Sequence, residues 1–172
     1  MRSGIIIPVR PLASRSPKAE LISQISETYQ HLRSIGDIDM VMIATADASY
    51  AESIDKMGGH AIYTKTPHAS VLDYCAQAAR LAGLDIIISY QLEAGLVSAE
   101  DIAVLRSVLL SQQVEMATLR LPIRSYQEFT DPNVIKVVCN HDNRALYLSR
   151  APIPFEPGQH HFRGGFRYIG VD

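Results

Sequence analysis

The chain has no tryptophan, only two cysteines and an aromatic content of 7%. Cys75 and Cys139 form neither a CxxC pair nor finger-type metal spacing, which excludes a structural zinc module and a disulfide scaffold. They read as reduced core thiols of a cytoplasmic protein. No apolar run approaches the ~18–20 residues of a membrane helix. The opening Met1-Arg2-Ser3-Gly4-Ile5-Ile6-Ile7-Pro8 lacks the small-residue cleavage pattern of a signal peptide and reads as a core strand. Neither sign of charge prevails: 16 Lys and Arg stand against 18 Asp and Glu, a formal charge of −2. That balance argues against a nucleic-acid or membrane-surface binder, while leaving room for a local basic site. What is present is apolar material: 47% of 172 residues, with 20% charged. This excludes bulk disorder and suffices for one domain with a substantial core.

Short β-rich runs alternate with helical periodicity. Ile5-Ile6-Ile7 between Gly4 and Pro8 is apolar without alternation, as in a strand covered on both faces. Leu21, Ile22, Ile25, Tyr29 and Leu32 recur at helical spacing, and Gly36 is a stop. Met40 to Ala44, Ala61 to Tyr63 and Asp85 to Ser89 predict further strands. Helices are predicted around Ala51–Ile54 behind an Asp47 N-cap, from Val71 to Leu81 before Gly83, and from the Ser98-x-x-Asp101 capping box through Leu110. This alternation predicts an α/β fold, a mostly parallel sheet sandwiched by helices. After residue 113 the texture changes. Met116–Ile123, Val134–Val138 and Arg144–Leu148 read as strands, with Asn140-His141-Asp142-Asn143 as a hairpin turn between the last two. The stretch from Pro152 to Gly170 is rich in Pro, Gly, His and Phe.

In open α/β sheets ligands bind beyond the carboxyl ends of the strands. The loop after the first strand carries three cations, Arg10, Arg15 and Lys18, with the hydroxyls of Ser14 and Ser16. Such a set can wrap a polyphosphate, and a solvated basic loop would look the same. Neither G-x-G-x-x-G nor G-x-x-x-x-G-K-[ST] is present, which excludes the common phosphate loops. Glu93, after the fourth strand, is an acid on that same edge and could hold Mg²⁺ against phosphates. His160-His161 would point to opposite faces of a strand and has no third ligand at recognisable spacing, so no metal site is assigned there.

Several segments resemble one family. Ile6-Ile7-Pro8-Val9-Arg10 with Ser14-Arg15-x-Pro17-Lys18 is similar to the I-P-A-R-x-x-S-x-R-x-P-G-K opening of the CMP-Kdo synthetases (3-deoxy-manno-octulosonate cytidylyltransferases). Met42-Ile43-Ala44-Thr45-Ala46-Asp47 resembles that family's V-A-T-D-D segment. Met116-Ala117-Thr118-Leu119, Asp131-Pro132-Asn133-Val134-Ile135-Lys136-Val137-Val138 and Ala145-Leu146-Tyr147-Leu148-Ser149-Arg150-Ala151-Pro152-Ile153-Pro154 resemble its C-terminal blocks. The resemblance implies a Rossmann-like, nucleotide-diphospho-sugar transferase-like domain over residues 1–172. Within it, residues 116–165 would hold a β-hairpin dimerisation arm. It implies transfer of CMP from CTP to a 3-deoxy-manno-octulosonate-type sugar acid, with release of pyrophosphate, in lipopolysaccharide biosynthesis. Arg10, Arg15 and Lys18 would act catalytically on the triphosphate, with Ser14 beside them and Ser70 near the cytidine. Gln91 and Arg150 would face the sugar acid, Glu93 would hold Mg²⁺, and the chain would form a homodimer or pair with a paralogue.

The chain also departs from the pattern. Pro17-Lys18 lacks the Gly of P-G-K, and Ser70-Val71-Leu72-Asp73-Tyr74 stands where the family has S-G-T-D-R. Gln91-Leu92-Glu93-Ala94-Gly95 replaces Q-G-D-E-P, and Tyr168 replaces the His of H-I-G. The family's further C-terminal segment, with another acidic ligand, does not follow Asp172. Two readings therefore stand: a cytidylyltransferase, or a catalytically inactive paralogue acting as a dimerising or nucleotide-binding partner.

Overall fold

The computed structural model describes residues 1–9, 18–64, 70–111, 114–158 and 162–172, without the side chain of Lys18. Four strands, β1 (Ser3–Val9), β2 (Met40–Thr45), β3 (Ala61–Tyr63) and β4 (Ile86–Ser89), form a sheet in the order β3-β2-β1-β4. Every pairing in it is parallel. Parallel strands need crossovers, and three helices supply them, α1 (Lys18–Arg33), α2 (Ala48–Lys56) and α3 (Val71–Ala82), while α4 (Ala99–Ser111) leads from β4 toward the second half.

The uninterrupted isoleucines of β1 are explained by cores on both faces. Ile5, Ile7 and Val9 pack with Ile25, Tyr29 and Leu32 of α1, Ile54 of α2, and Ile102 and Leu105 of α4. Ile6 points the other way, into a smaller cluster with Met42, Ala44, and Tyr74, Cys75 and Ala78 of α3. Ile5, Ile6 and Ile7 are fully buried, and together they contribute roughly 5–9 kcal/mol of transfer free energy. Helix starts follow the sequence signals. Asp47 accepts from the Ser49 N–H at 2.8 Å, and Ser70 and Ser98 form reciprocal boxes with Asp73 and Asp101. Gly83 ends α3 in the left-handed region at φ 64°, where a side chain would be strained. Both cysteines are free thiols.

The second half forms an antiparallel sheet of order β5-β8-β6-β7, from β5 (Arg120–Ile123), β6 (Lys136–Cys139), β7 (Ala145–Ser149) and β8 (Gly165–Tyr168). The 140–143 turn is present: Asn140 N–H donates to Arg144 O at 2.9 Å, and Asn143 adopts φ 61°. The strand expected from Met116 begins only at Arg120, because residues 114–119 run as irregular backbone toward the first sheet. Two elements lie outside the sequence expectations. α5 (Tyr126–Thr130), capped by Ser125, spans five residues, too few to show a helical period. β8 lies inside the Pro/Gly-rich tail and pairs with β5 and β6.

Past β8 the chain returns to the first sheet. Val171 bridges Tyr90, the Ser89 and Asp172 backbones exchange hydrogen bonds at 2.7 and 3.1 Å, and the Gln91 N–H donates to Gly170 O at 2.9 Å. β4 is the outer strand of its sheet, and residues 170–172 cover the end of that edge. Among the described residues no helix is long and apolar enough to cross a membrane.

Candidate active site

The chain leaves β1 on one side toward β2 and β3, while β4 lies on β1's other side. The carboxyl ends of β1 and β4 therefore flank the point where strand order reverses, the place where such sheets bind ligands. A cleft of about 530 Å³ opens there, a volume typical of small-molecule sites. Its floor is Pro8 and Val9 at the end of β1, and Gln91 to Glu93 in the 3-10 turn after β4. Leu21 of α1 and Val71 of α3, from helices on opposite faces of the parallel sheet, also line it. The second half of the chain adds Asn133 to Ile135 before β6, Arg150 after β7, and Arg167 to Gly170 at the end of β8 and just past it.

Three of the site residues expected from the sequence, Gln91, Glu93 and Arg150, line this one cleft. Ser70 does not line it; its hydroxyl is engaged in the capping box with Asp73 at 2.8 Å, one residue before the lining Val71. Arg10, Ser14 and Arg15 lie outside the described residues, as do His160 and His161. Lys18 opens α1, with its side chain likewise outside them. The segment from 10 to 17 joins Val9 to α1, both of which border the cleft.

Glu93 is the one acidic side chain among the described lining residues. No group of three or more His, Cys, Asp or Glu that could hold a metal occurs among the described residues. One carboxylate suits Mg²⁺ whose other ligands are phosphate oxygens and water, and does not make a cage of protein atoms alone. The wall contributed by the second half of the chain carries two arginines. Arg167 Nε pairs with Glu128 Oε1 at 2.9 Å. Arg150 donates from Nη1 to Pro132 O at 3.0 Å. No salt bridge to a carboxylate involves Arg150 among the described residues.

That wall is held by Lys136, whose side chain is fully buried. Its ammonium donates to the carbonyls of Asp131, Val134 and Arg150 at 2.7, 2.9 and 2.7 Å. All three donor positions are used, which answers the cost of burying the charge. Desolvation lowers the Lys136 pKa, and the nearby Asp131 opposes that shift.

Sequence reasoning did not find Asn133–Ile135, Arg167 or Tyr168 as cleft residues. The signal for the first was available: the 131–138 block carries the family resemblance, and its role as a wall facing Gln91 needs the third dimension. Tyr168 is joined to the floor. Gln91 Nε2 donates to Tyr168 Oη at 3.0 Å, and the Tyr168 hydroxyl donates to Asp172 Oδ2 at 2.7 Å. Burial first, then the carboxylate of Asp172, push the Tyr168 phenol well above its ordinary pKa.

A family model for cytidylyltransferases matches residues 24–168. The chain belongs to that family. Cytidylyltransferase relatives described as 3-deoxy-manno-octulosonate cytidylyltransferase match along most of its length. The protein of Syntrophobacter fumaroxidans is 39% identical over 164 residues, covering 90% of this chain and 66% of that relative. The protein of Desulfosudis oleivorans is 31% identical over 180 residues, covering 99% of this chain and 73% of the relative. This cytidylyltransferase chain also superposes on a CMP:2-keto-3-deoxy-manno-octonic acid synthetase complexed with CTP. The TM-score is 0.86 and the identity 28%, over 99% of this chain and 73% of the other. The chain thus spans just under two thirds of the length of the relatives from Syntrophobacter fumaroxidans and, at 63%, Pelobacter propionicus.

Proposed function

We propose that the chain transfers CMP from CTP to a sugar acid of the 3-deoxy-manno-octulosonate type and releases pyrophosphate, as part of lipopolysaccharide biosynthesis in the cytoplasm. One observation carries the reading. The switch-point cleft is lined by an acid that follows β4 and by two arginines from the second half of the chain, on a backbone like that of a CTP-complexed synthetase.

In this reading an oxygen of the sugar acid attacks the α-phosphorus. The bond from that phosphorus to the bridging oxygen of the β-phosphate breaks, and pyrophosphate leaves. Such a transfer depends on charge placement and alignment more than on covalent catalysis. Arg10, Arg15 and Lys18, with Ser14, hold the triphosphate from the segment that joins β1 to α1, and Ser70 marks the cytidine side. Arg150 takes the sugar carboxylate, with the planar fork that suits it, and Gln91 contacts the sugar acid. Glu93 would hold Mg²⁺ together with phosphate oxygens, and the ion would neutralise the developing phosphate charge.

The chain works as a homodimer in this reading. β7 is an outer strand of its sheet and presents Leu146, Tyr147 and Leu148 to solvent. An apolar strand edge of this kind calls for a cover, and a second copy supplies it.

The deciding experiment is pyrophosphate release with CTP, Mg²⁺ and 3-deoxy-manno-octulosonate, run beside CTP calorimetry. Turnover dependent on all three components is expected. CTP binding without turnover would overturn the enzymatic reading in favour of a nucleotide-binding partner protein.

A further inference from the structure

Gln91 is set from two directions by a single short segment. Its main-chain N–H donates to Gly170 O at 2.9 Å. Gly170 sits at φ +81°, and a Cβ there would come within 3.1 Å of the Gln91 Cβ. Its side-chain amide then meets Tyr168, which meets Asp172. The proton count along this chain fixes a polarity. Burial raises the pKa of the Asp172 carboxyl, and its hydrogen bonds from Tyr168 and Thr118 oppose that shift. Ionised, the carboxylate only accepts, so the single Tyr168 hydroxyl proton goes to it, across 2.7 Å. The phenol oxygen is then left facing Gln91 as an acceptor, and only the NH₂ end of the amide can answer it. A turned amide would set its carbonyl against the phenol lone pairs and lose the 3.0 Å bond. The raised pKa of the half-buried Tyr168 phenol keeps its proton in place.

We infer that Tyr168 and Asp172 are positioning residues that lock the Gln91 amide with its NH₂ turned to Tyr168, reserving its carbonyl for a hydroxyl donor of the bound sugar acid. This rests on the proposed transfer reaction for the identity of the ligand, and on the hydrogen-bond chain alone for the orientation. No described residue donates to Gln91 Oε1, so a ligand hydroxyl has an acceptor there without displacing a protein group.

The test has two arms on the full chain. In the first, the ¹⁵N signals of the Gln91 side-chain amide are assigned by their loss in Q91E. They are then followed in wild type, Y168F and D172N without substrate. The wild type should show slowed hydrogen exchange at this NH₂, Y168F should release it to solvent-like exchange, and D172N should fall between, since Asn still accepts through Oδ1. In the second arm Y168F raises KM for the sugar acid about threefold to tenfold, as expected for one lost hydrogen bond. KM for CTP stays unchanged and kcat stays within about twofold. Unaltered Gln91 amide exchange in Y168F, with thermal unfolding confirming an intact fold, overturns the inference. So does an equal rise in KM for both substrates. If no sugar acid turns over at all, the ligand assignment falls with the proposed function, and the exchange arm still decides the orientation.

Discussion

The Lys136 ammonium lies 2.7 Å from the carbonyl oxygen of Arg150, a residue that lines the cleft. The same ammonium holds the Asp131 and Val134 carbonyls, so one buried cation ties two loops into a single wall. Lys136→Met removes the donor and keeps most of the apolar stem. It leaves three carbonyls short of a partner, and the loss expected is at least about 2–3 kcal/mol. Urea denaturation measures this, and a change under about 0.5 kcal/mol would show that the wall does not depend on the lysine.

Arg150 itself is exposed, and its Nη1 reaches only a backbone carbonyl. Arg150→Ala should therefore fold normally, and if Arg150 holds the sugar carboxylate as proposed, it loses a charge-assisted contact. The expected cost is about 10- to 100-fold in kcat/KM for the sugar acid. Affinity for CTP should stay within about threefold, and Arg150→Lys should restore part of the loss. Steady-state kinetics with each substrate varied in turn decides it; a loss shared equally with CTP would move Arg150 to the nucleotide side.

The β7 edge makes a prediction about assembly. Leu146 and Tyr147 are 65% and 64% exposed on the isolated chain. The double variant Leu146→Glu with Leu148→Glu should convert a dimer to a monomer in sedimentation velocity, with unchanged far-ultraviolet circular dichroism. A wild-type monomer at micromolar concentration, or a variant that stays dimeric, would exclude β7 as the contact.

At the opposite end of the first sheet, Asp39 accepts from the Ser3 N–H at 2.7 Å and from the Ser3 hydroxyl at 3.1 Å. The backbone bond first, then the hydroxyl bond, hold its carboxyl below the ordinary value. A carboxyl with a depressed folded-state pKa contributes stability that is complete above its unfolded pKa of about 3.9. That contribution is lost as pH falls through the folded value. Asp39→Asn should lower the urea midpoint at pH 7, and the gap from wild type should narrow as pH falls below about 3.9. A gap independent of pH would assign the effect to packing.

The first sheet was legible in the residues because local signals agreed with the tertiary answer. The β1 isoleucines, the Asp47, Ser70 and Ser98 caps and Gly83 each specify something within a few positions. Of the cleft-lining residues, Glu93 was legible because its chemistry coincided with a strand's carboxyl end, and Gln91 and Arg150 were reached through the family resemblance. Ser70 illustrates the limit: its hydroxyl serves the helix cap, a demand visible in the pattern Ser70-x-x-Asp73. β8 was hidden because its partners, β5 and β6, lie far off in sequence, and no local pattern announces a strand among glycines. The sequence places Lys136 in a strand; its burial is visible only once the three carbonyls around its ammonium are located.

The return of residues 170–172 to the β4 edge also bears on biosynthesis. Gln91 receives its seat from backbone made nearly eighty positions later. A nascent chain that has already completed its parallel strands therefore still has an unfinished cleft. The Gln91 side of the cleft takes its final arrangement only once residues 170–172 have left the ribosome, whatever the speed at which the earlier half folds.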